Sequence, residues 1–213
     1  MAQIVAEFSI GLQEYALKEL AHTCIRPHGC PNCHAIGQMI GHGYYWRQPK
    51  DGGKGWLIRI KRWKCKACDK TVSVLPSFLL RFRHYLLEVI ANALTLRFER
   101  LASWSEVRAG CSSAGMPGKQ TIRRWCGSYG EQAGGWLGAV HSILARQDSL
   151  STWLDTHGEA LQAQNAGQAL LTASEYLLSW AKTQWVQLSD YGLEKRMQFL
   201  WFWGAGQGLG RLV

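Results

Sequence analysis

The chain has 213 residues, and its hydrophobic content of 47% is enough for the core of one large domain or two small ones. Its formal net charge of +9 is uneven: residues 1–126 hold nineteen Lys or Arg against eight Asp or Glu, whereas residues 127–213 hold five against seven. The charge asymmetry suggests a polyanion-binding front half and a packing or interaction rear half. No apolar run approaches the length of a bilayer-spanning helix, so no transmembrane helix is expected.

The cysteine content indicates a reducing compartment. Seven cysteines is an odd number, and the start of the chain lacks the basic and apolar regions of a signal peptide. A disulfide framework is therefore not expected, and we predict a cytoplasmic, nucleoid-associated protein.

The first 26 residues are predicted to form a helical N-terminal unit. Leu12, Tyr15, Ala16 and Leu20 recur at helical spacing within residues 11–22. The pattern favours a short amphipathic helix that packs on the next unit of the chain.

Two Cys-x-x-Cys pairs, Cys30/Cys33 and Cys65/Cys68, delimit that next unit. Four thiolates at two tight turns suit one structural Zn²⁺, which prefers a closed tetrahedral shell. The alternatives are two unrelated thiol pairs, or one redox pair beside two core cysteines. A redox pair needs a strand-to-helix junction in a βαβ unit, which nothing here indicates. We therefore predict a zinc ribbon over residues 27–80.

The ribbon carries many cations between and around its strands. Strands are predicted over residues 43–47, 56–64 and from 71 to about Pro76, where proline ends a ladder. Ile58 and Ile60 alternate with Arg59 and Lys61, which gives one apolar and one basic face. The basic face could be merely solvated, but it also suits phosphate contacts. The residues predicted to contact DNA from this unit are Arg47, Lys54, Arg59, Lys61, Arg62 and Lys64.

Residues 81–133 are predicted to form a three-helix domain. Helices are expected over 85–99, from Ser103 to about Gly110, and from Pro117 or Gly118 onwards, with Ser103 and Glu106 forming a capping box. A basic helix after a glycine-containing turn is typical of a helix-turn-helix motif, although a plain bundle with a basic surface fits too. The predicted DNA-contacting residues of that helix are Lys119, Gln120, Thr121, Arg123 and Arg124.

Residues 134–213 are predicted to be a helical region for assembly or partner binding. Short or long helices are expected over 136–147, 166–188 and 193–203, and their apolar stripes suit a homodimer or partner interface as well as an intramolecular bundle. The glycine-rich tail from Gly204 is expected to be poorly ordered without a partner. The predicted fold class is thus mainly α with a small β zinc ribbon.

Catalytic signatures are absent from the sequence. It has no Walker loop, dinucleotide fingerprint or nucleophile elbow. The late acids fall on polar helical faces, where no strand brings them together around Mg²⁺: Asp148, Asp155, Glu159, Glu175, Asp190 and Glu194. We assign no catalytic residue, and a DNA-binding subunit is favoured over an enzyme.

The order of motifs resembles a known family. A Cys-Pro-x-Cys, a Gly-His-Gly-Tyr strand, an Arg-Trp-Lys-Cys-Lys-Ala-Cys-Asp-Lys-Thr segment, a Leu-Pro stretch and a helix-turn-helix are similar to the front half of bacterial insertion-sequence transposases and their small accessory proteins. The resemblance spans about residues 27–130. It implies that the four cysteines bind zinc and that both units bind the terminal repeats of a mobile element. A helical tail stands where a catalytic domain would follow.

The sequence therefore predicts a zinc-dependent DNA-binding protein of a mobile genetic element, which recognises element-end or target DNA and recruits or regulates a catalytic transposase. Two alternatives remain: a compact transposase or nuclease with an unrecognised carboxylate site, and a transcriptional regulator or protein-interaction adaptor. The basic surface by itself does not distinguish double-stranded DNA from RNA.

Overall fold

The structure is a computed structural model that describes residues 2–6, 11–24, 26–51, 55–111, 117–147, 163–185, 188, 193 and 195–213. It is mixed: helices dominate, and one small sheet lies in the first third of the chain. The strands are β1 (Ala2–Ala6), β2 (Met39–Arg47), β3 (Ile58–Cys65) and β4 (Thr71–Pro76). The helices are α1 (Leu12–Leu17), α2 (Leu87–Leu94), α3 (Trp104–Gly110), α4 (Lys119–Gln147), α5 (Ala166–Gln184) and α6 (Arg196–Gly206).

The sheet has the strand order β1-β4-β3-β2. Strands β2, β3 and β4 are antiparallel, while β1 pairs in parallel with β4 from Ala2 opposite Val72 to Ala6 opposite Pro76. The sequence predicted only a helix in the first 26 residues, and this prediction was incomplete. Parallel partners are joined by a long connection and leave no hairpin signal in the sequence.

Along residues 58–61 of strand β3, buried and half-buried side chains alternate, as the sequence predicts. Ile58 and Ile60 are buried against Leu12 and Tyr15 of α1, and the Tyr15 hydroxyl donates a hydrogen bond to the Arg59 carbonyl at 3.0 Å. This packing confirms that α1 covers the sheet. Strand β2 begins at Met39, four residues before the prediction, because Met39 is fully buried opposite Cys65.

The helices after the sheet follow the predicted order. α2 continues into a π-helical turn over Thr95–Glu99, and α3 begins with the predicted capping box of Ser103 and Glu106. α4 differs from the prediction of a separate helix over 136–147, because it runs unbroken through Gly134 and Gly135. Burial of Trp136, Val140 and Leu144 along the same stripe offsets the cost of about 1 kcal/mol for each helical glycine.

One hydrophobic core holds α2 to α6 together. Its buried residues run from Leu80 to Val213, so the region after residue 134 packs on the three helices before it. Close contacts at glycines fix the helix spacing: a Cβ at Gly204 would overlap the Trp136 ring. None of the described helices is both long enough and apolar enough to cross a bilayer.

The tail after α6 is packed on this core, which corrects the expectation of poor order. Gly208 has φ +72°, the Leu209 N–H donates to the Gly204 carbonyl at 2.9 Å, and the Gly208 N–H donates to Ala205 at 3.3 Å. These are the two hydrogen bonds of a Schellman cap, in which the glycine adopts the left-handed conformation. Leu212 and Val213 are buried beyond it.

Candidate metal centre and nucleic-acid interface

The four predicted cysteines come together at one end of the sheet. The Sγ atoms of Cys30 and Cys68 are 3.7 Å apart, as are those of Cys33 and Cys65, and all four lie within 4.8 Å of one another. Four sulfurs at about 2.3 Å from a central ion would be about 3.8 Å apart in a tetrahedron. The cluster can therefore hold a metal ion, and its dimensions are compatible with structural zinc.

The two cysteine turns have the same backbone geometry. In the first, the Cys30 N–H donates to Ala35 at 3.1 Å and the Cys30 carbonyl accepts from His34 at 2.8 Å. In the second, the Cys65 N–H donates to Lys70 at 3.0 Å and the Cys65 carbonyl accepts from Asp69 at 2.9 Å.

The equivalent residues of the two turns, His34 and Asp69, both have φ +59°. Two matched turns face each other across the cluster, so each contributes its thiols in the same orientation. His34 is exposed and stands at this turn position, as expected of a histidine that is not a ligand.

Electrostatics also favour a cation at the cluster. A hydrogen bond from the Lys70 backbone is the main cause that lowers the pKa of the Cys68 thiol to about 7. The Ala35 backbone lowers the pKa of Cys33, but hydrogen bonds with the other thiols, that with Cys68 foremost, and desolvation outweigh it and raise that pKa to about 12. Since ionising one thiol opposes ionising the next, four thiolates need a bound cation.

Two basic residues of β3 stand among aromatic rings. The Arg59 guanidinium lies 4.9 Å from the Trp46 ring, and the Lys61 ammonium lies 4.3 Å from the Tyr44 ring and 5.2 Å from the Trp63 ring. Arg59 also pairs with Glu19 at 3.7 Å. These cations are half-buried and held by their neighbours, while Trp46 stays exposed.

The other predicted cations of the sheet have different surroundings. Arg62 donates to the Tyr44 carbonyl at 3.3 Å, and Lys64 pairs with Asp69 at 2.7 Å beside the cysteine cluster. Arg47 donates to the carbonyls of Leu80 and Arg83, so its guanidinium ties β2 to the segment before α2. Lys54 lies outside the described residues.

The predicted DNA-contacting residues of the helix lie on the first two turns of α4. Lys119, Gln120, Arg123 and Arg124 are exposed, and Thr121 is half-buried. On the opposite side of the same turns, Ile122, Trp125 and Cys126 are buried in the helical core. This division follows from the helical period, which sends residues i, i+3 and i+4 to one face.

The side chain of Arg123 is held by the preceding helix. Its guanidinium lies 5.5 Å from the ring of Trp104 in α3, and the Arg97 guanidinium lies 4.7 Å from the same ring. A cation over the face of an indole is attracted by the ring quadrupole. α3 therefore orients the arginine that α4 exposes.

Of the late acids, Glu175 is described, and it pairs with Arg196 at 2.6 Å. Asp148, Asp155, Glu159, Asp190 and Glu194 lie outside the described residues. Within the described chain, the four cysteines are the one group of three or more His, Cys, Asp or Glu side chains close enough to hold a metal.

Comparison with known proteins gives one match. A family model described as a domain of unknown function, DUF6431, matches residues 25–125, slightly less than half of the chain. The matched range contains both cysteine pairs, strands β2 to β4, helices α2 and α3 and the start of α4. No curated protein and no solved structure matches the chain. The chain thus carries, over residues 25–125, a region similar to a family whose function is unassigned.

Proposed function

We propose that the protein binds double-stranded DNA through a zinc ribbon and a helix-turn-helix motif. The observation that carries the proposal is the start of α4, where Lys119, Gln120, Arg123 and Arg124 are exposed on a helix whose other face is buried. The early residues of a recognition helix enter the major groove in helix-turn-helix proteins. Gln and Arg are the side chains that pair with adenine and guanine edges there.

The metal of this proposal is one structural Zn²⁺. A shell of four thiolates has no open position, so it would fix two turns and would not activate water. Cys30 and Cys65 are buried and also contribute to the small apolar cluster of Met39 and Val72. The role of the ion is to hold β2, β3 and β4 in place, and with them their cations.

Phosphate contacts of the sheet come from β3. The Arg59 and Lys61 side chains stand against aromatic rings, which limits their freedom before they meet a ligand. A cation that is already ordered loses less entropy on binding than a free one. These contacts add affinity without sequence preference.

The mobile-element part of the proposal rests on the motif order of residues 27–130, which resembles insertion-sequence proteins. Under it, the protein marks element-end or target DNA and recruits or regulates a catalytic transposase. The region from α5 onward holds α4 in place, because α5 packs along that helix.

The test is selection of bound duplexes from a random pool by the zinc-loaded protein, followed by a salt series on the enriched sequence. We expect an enriched motif and a steep decrease of affinity with salt, about 0.9 in the log–log slope for each neutralised phosphate. Absence of duplex binding at low salt, with a stable protein complex instead, would select the adaptor function.

A pair of substitutions separates base contacts from phosphate contacts. Arg123→Ala and Arg124→Ala are compared on the enriched duplex and on a random duplex, with Arg146→Ala near the other end of α4 as the control. A base contact loses about 1–3 kcal/mol on the enriched duplex alone. Equal losses on both duplexes would show that the two arginines bind phosphates.

A further inference from the structure

The segment of residues 81–85 joins the sheet unit to the helices and is held from both sides. The Lys50 N–H donates to the His84 carbonyl at 2.7 Å, and the Leu86 N–H donates to the Lys50 carbonyl at 2.9 Å. Arg47 donates to the Leu80 and Arg83 carbonyls from β2. This double attachment fixes the basic segment against the edge of the sheet.

The same segment lies beside the start of α4. The Tyr85 ring contacts the Trp125 ring edge-on at 5.1 Å, and the Lys50 ammonium lies 5.5 Å from the same Tyr85 ring. Trp125 follows Arg124 in the first turns of α4. Lys50, which follows β2, therefore lies near the first turns of α4, where Arg124 is exposed.

The tail of the chain adds a third cation. The Arg211 guanidinium lies 4.3 Å from the ring of Phe82, and Arg83 and Arg211 line one shared cavity of about 370 Å³. Phe82 has φ +61° and is half exposed, so the turn presents its ring outward with the arginine on it. Two segments distant in sequence, around residues 83 and 211, thus meet at this cavity.

Among the described residues, these arginines have no acidic partner. In the described part of the chain, no carboxylate lies within ion-pair distance of Arg83, Arg124 or Arg211. Burial first, and then the positive charges of Arg211 and Arg124, lower the pKa of Arg83. Uncompensated like charges raise the energy of the free protein and favour an anion that neutralises them.

We propose that Lys50, Arg83, Arg124 and Arg211 form one phosphate-binding surface that bridges the sheet and α4 on a DNA duplex. The inference rests on the proposed function and extends it to three residues, Lys50, Arg83 and Arg211, that are not among the predicted DNA contacts. Phosphate oxygens accept the paired N–H donors of a guanidinium in two parallel hydrogen bonds. Backbone contacts of this kind fix the register in which α4 meets the groove.

The experiment measures the salt dependence of duplex binding by the full-length, zinc-loaded chain. The double variant Arg83→Gln with Arg211→Gln should lower the log–log slope by about 1.8, since each lost phosphate contact removes about 0.9. The matched control, Arg146→Gln with Lys182→Gln, removes the same charge. Arg146 lies about 33 Å beyond Arg124 along α4 at about 1.5 Å per residue, and its variant should keep the wild-type slope.

A second variant separates binding from folding. Arg83→Lys with Arg211→Lys keeps both charges, so it should restore most of the slope, although Lys lacks the paired donors of Arg. Thermal unfolding of each variant gives the folded fraction at the assay temperature. A folded Gln variant with an unchanged slope overturns the inference and leaves the proposed function standing.

Two further outcomes are distinguishable. If the wild-type protein binds no duplex at all, the proposed function and this extension both fail. If inorganic phosphate binds the wild type at submillimolar concentration, and the Gln variant loses this binding but keeps its DNA slope, the arginines serve a free anion and the duplex contact is refuted.

Discussion

The cysteine end of the sheet and the helical region are stabilised in different ways. In the described chain, the apolar cluster around the thiols has four buried residues, two of which are cysteines themselves, whereas the helical cluster has 29. Burial of about 25 cal/mol per Å² can stabilise the second cluster but leaves the first with little. The turns that carry the thiols therefore need a cross-link, whereas the helices fold by packing.

The largest expected effect comes from removal of the metal. Apparent binding free energies of about 10–16 kcal/mol fold small zinc sites, so chelation should unfold the cysteine turns and strands β2 to β4. The core of α4 and α5 should persist. Hydrogen exchange checks this: peptides from residues 39–76 should lose protection after chelation, and peptides from residues 166–184 should keep it.

Substitution of cysteines in the two regions provides the matched comparison. Cys65→Ser should abolish stoichiometric zinc binding, whereas Cys126→Ser, in the helical core, should leave one zinc per chain. Elemental analysis of both purified variants measures this directly. Zinc retained at full occupancy by Cys65→Ser would refute the four-cysteine site.

Shortening a buried side chain of the helical core should produce the next largest effect. This effect concerns the helical region and not the cysteine end of the sheet. Leu177 on α5 is fully buried, and Leu177→Ala should lower the free energy of unfolding of the helical region by about 2–5 kcal/mol. Denaturant unfolding followed by helical circular dichroism measures the loss. The zinc content should not change, and a variant that also releases zinc would show that the two regions unfold as one.

Arginines that pair with acids and arginines that do not should differ in their contribution to stability. Arg196 in α6 pairs with Glu99 and with Glu175 at 2.6 Å, and its side chain is 17% exposed. Arg196→Gln leaves Glu99 without its cation and should cost about 1–3 kcal/mol of stability. Arg124→Gln, at an exposed arginine with no described acidic partner, should change stability by less than about 0.5 kcal/mol. Equal losses in thermal unfolding would contradict this.

The sequence predicts features whose cause is local. Two Cys-x-x-Cys pairs specify tight turns, and the Ser103–Glu106 pair specifies a helix start, so both were placed correctly. The alternation of Ile58 and Ile60 with cations likewise predicts one covered face of β3. The cap at Gly208, followed by the apolar Leu209, is also a local signal, although the glycine-rich composition predicts a tail that is poorly ordered without a partner.

The features that the sequence does not predict depend on distant partners. Strand β1 exists because β4 offers an edge to pair with, and α4 continues past Gly134 because Trp136 is buried in the helical core beside Gly204 of α6. In the sequence, Arg47 looks like any other cation of a strand. Its guanidinium nevertheless donates a hydrogen bond to the Leu80 carbonyl, 33 residues away. Such pairings arise from tertiary contacts that leave no local periodicity.

The smallest expected effect concerns the start of α3, which holds Trp104 beneath Arg123. The Ser103 hydroxyl accepts a hydrogen bond from the Glu106 N–H, and the Glu106 carboxylate accepts one from the Ser103 N–H at 2.7 Å. Ser103→Ala removes the first bond and should cost about 1 kcal/mol, as loss of an N-cap does.

The control for the cap is the same substitution inside a helix. Ser142 in α4 donates back to the Gly138 carbonyl at 2.8 Å, an interaction that slightly destabilises helices, so Ser142→Ala should be neutral or mildly stabilising. Denaturant midpoints compare the two variants. Because frayed α3 would also release Arg123 from Trp104, Ser103→Ala should weaken duplex binding slightly, whereas Ser142→Ala should not. Equal binding by both variants would show that α3 does not orient the arginine.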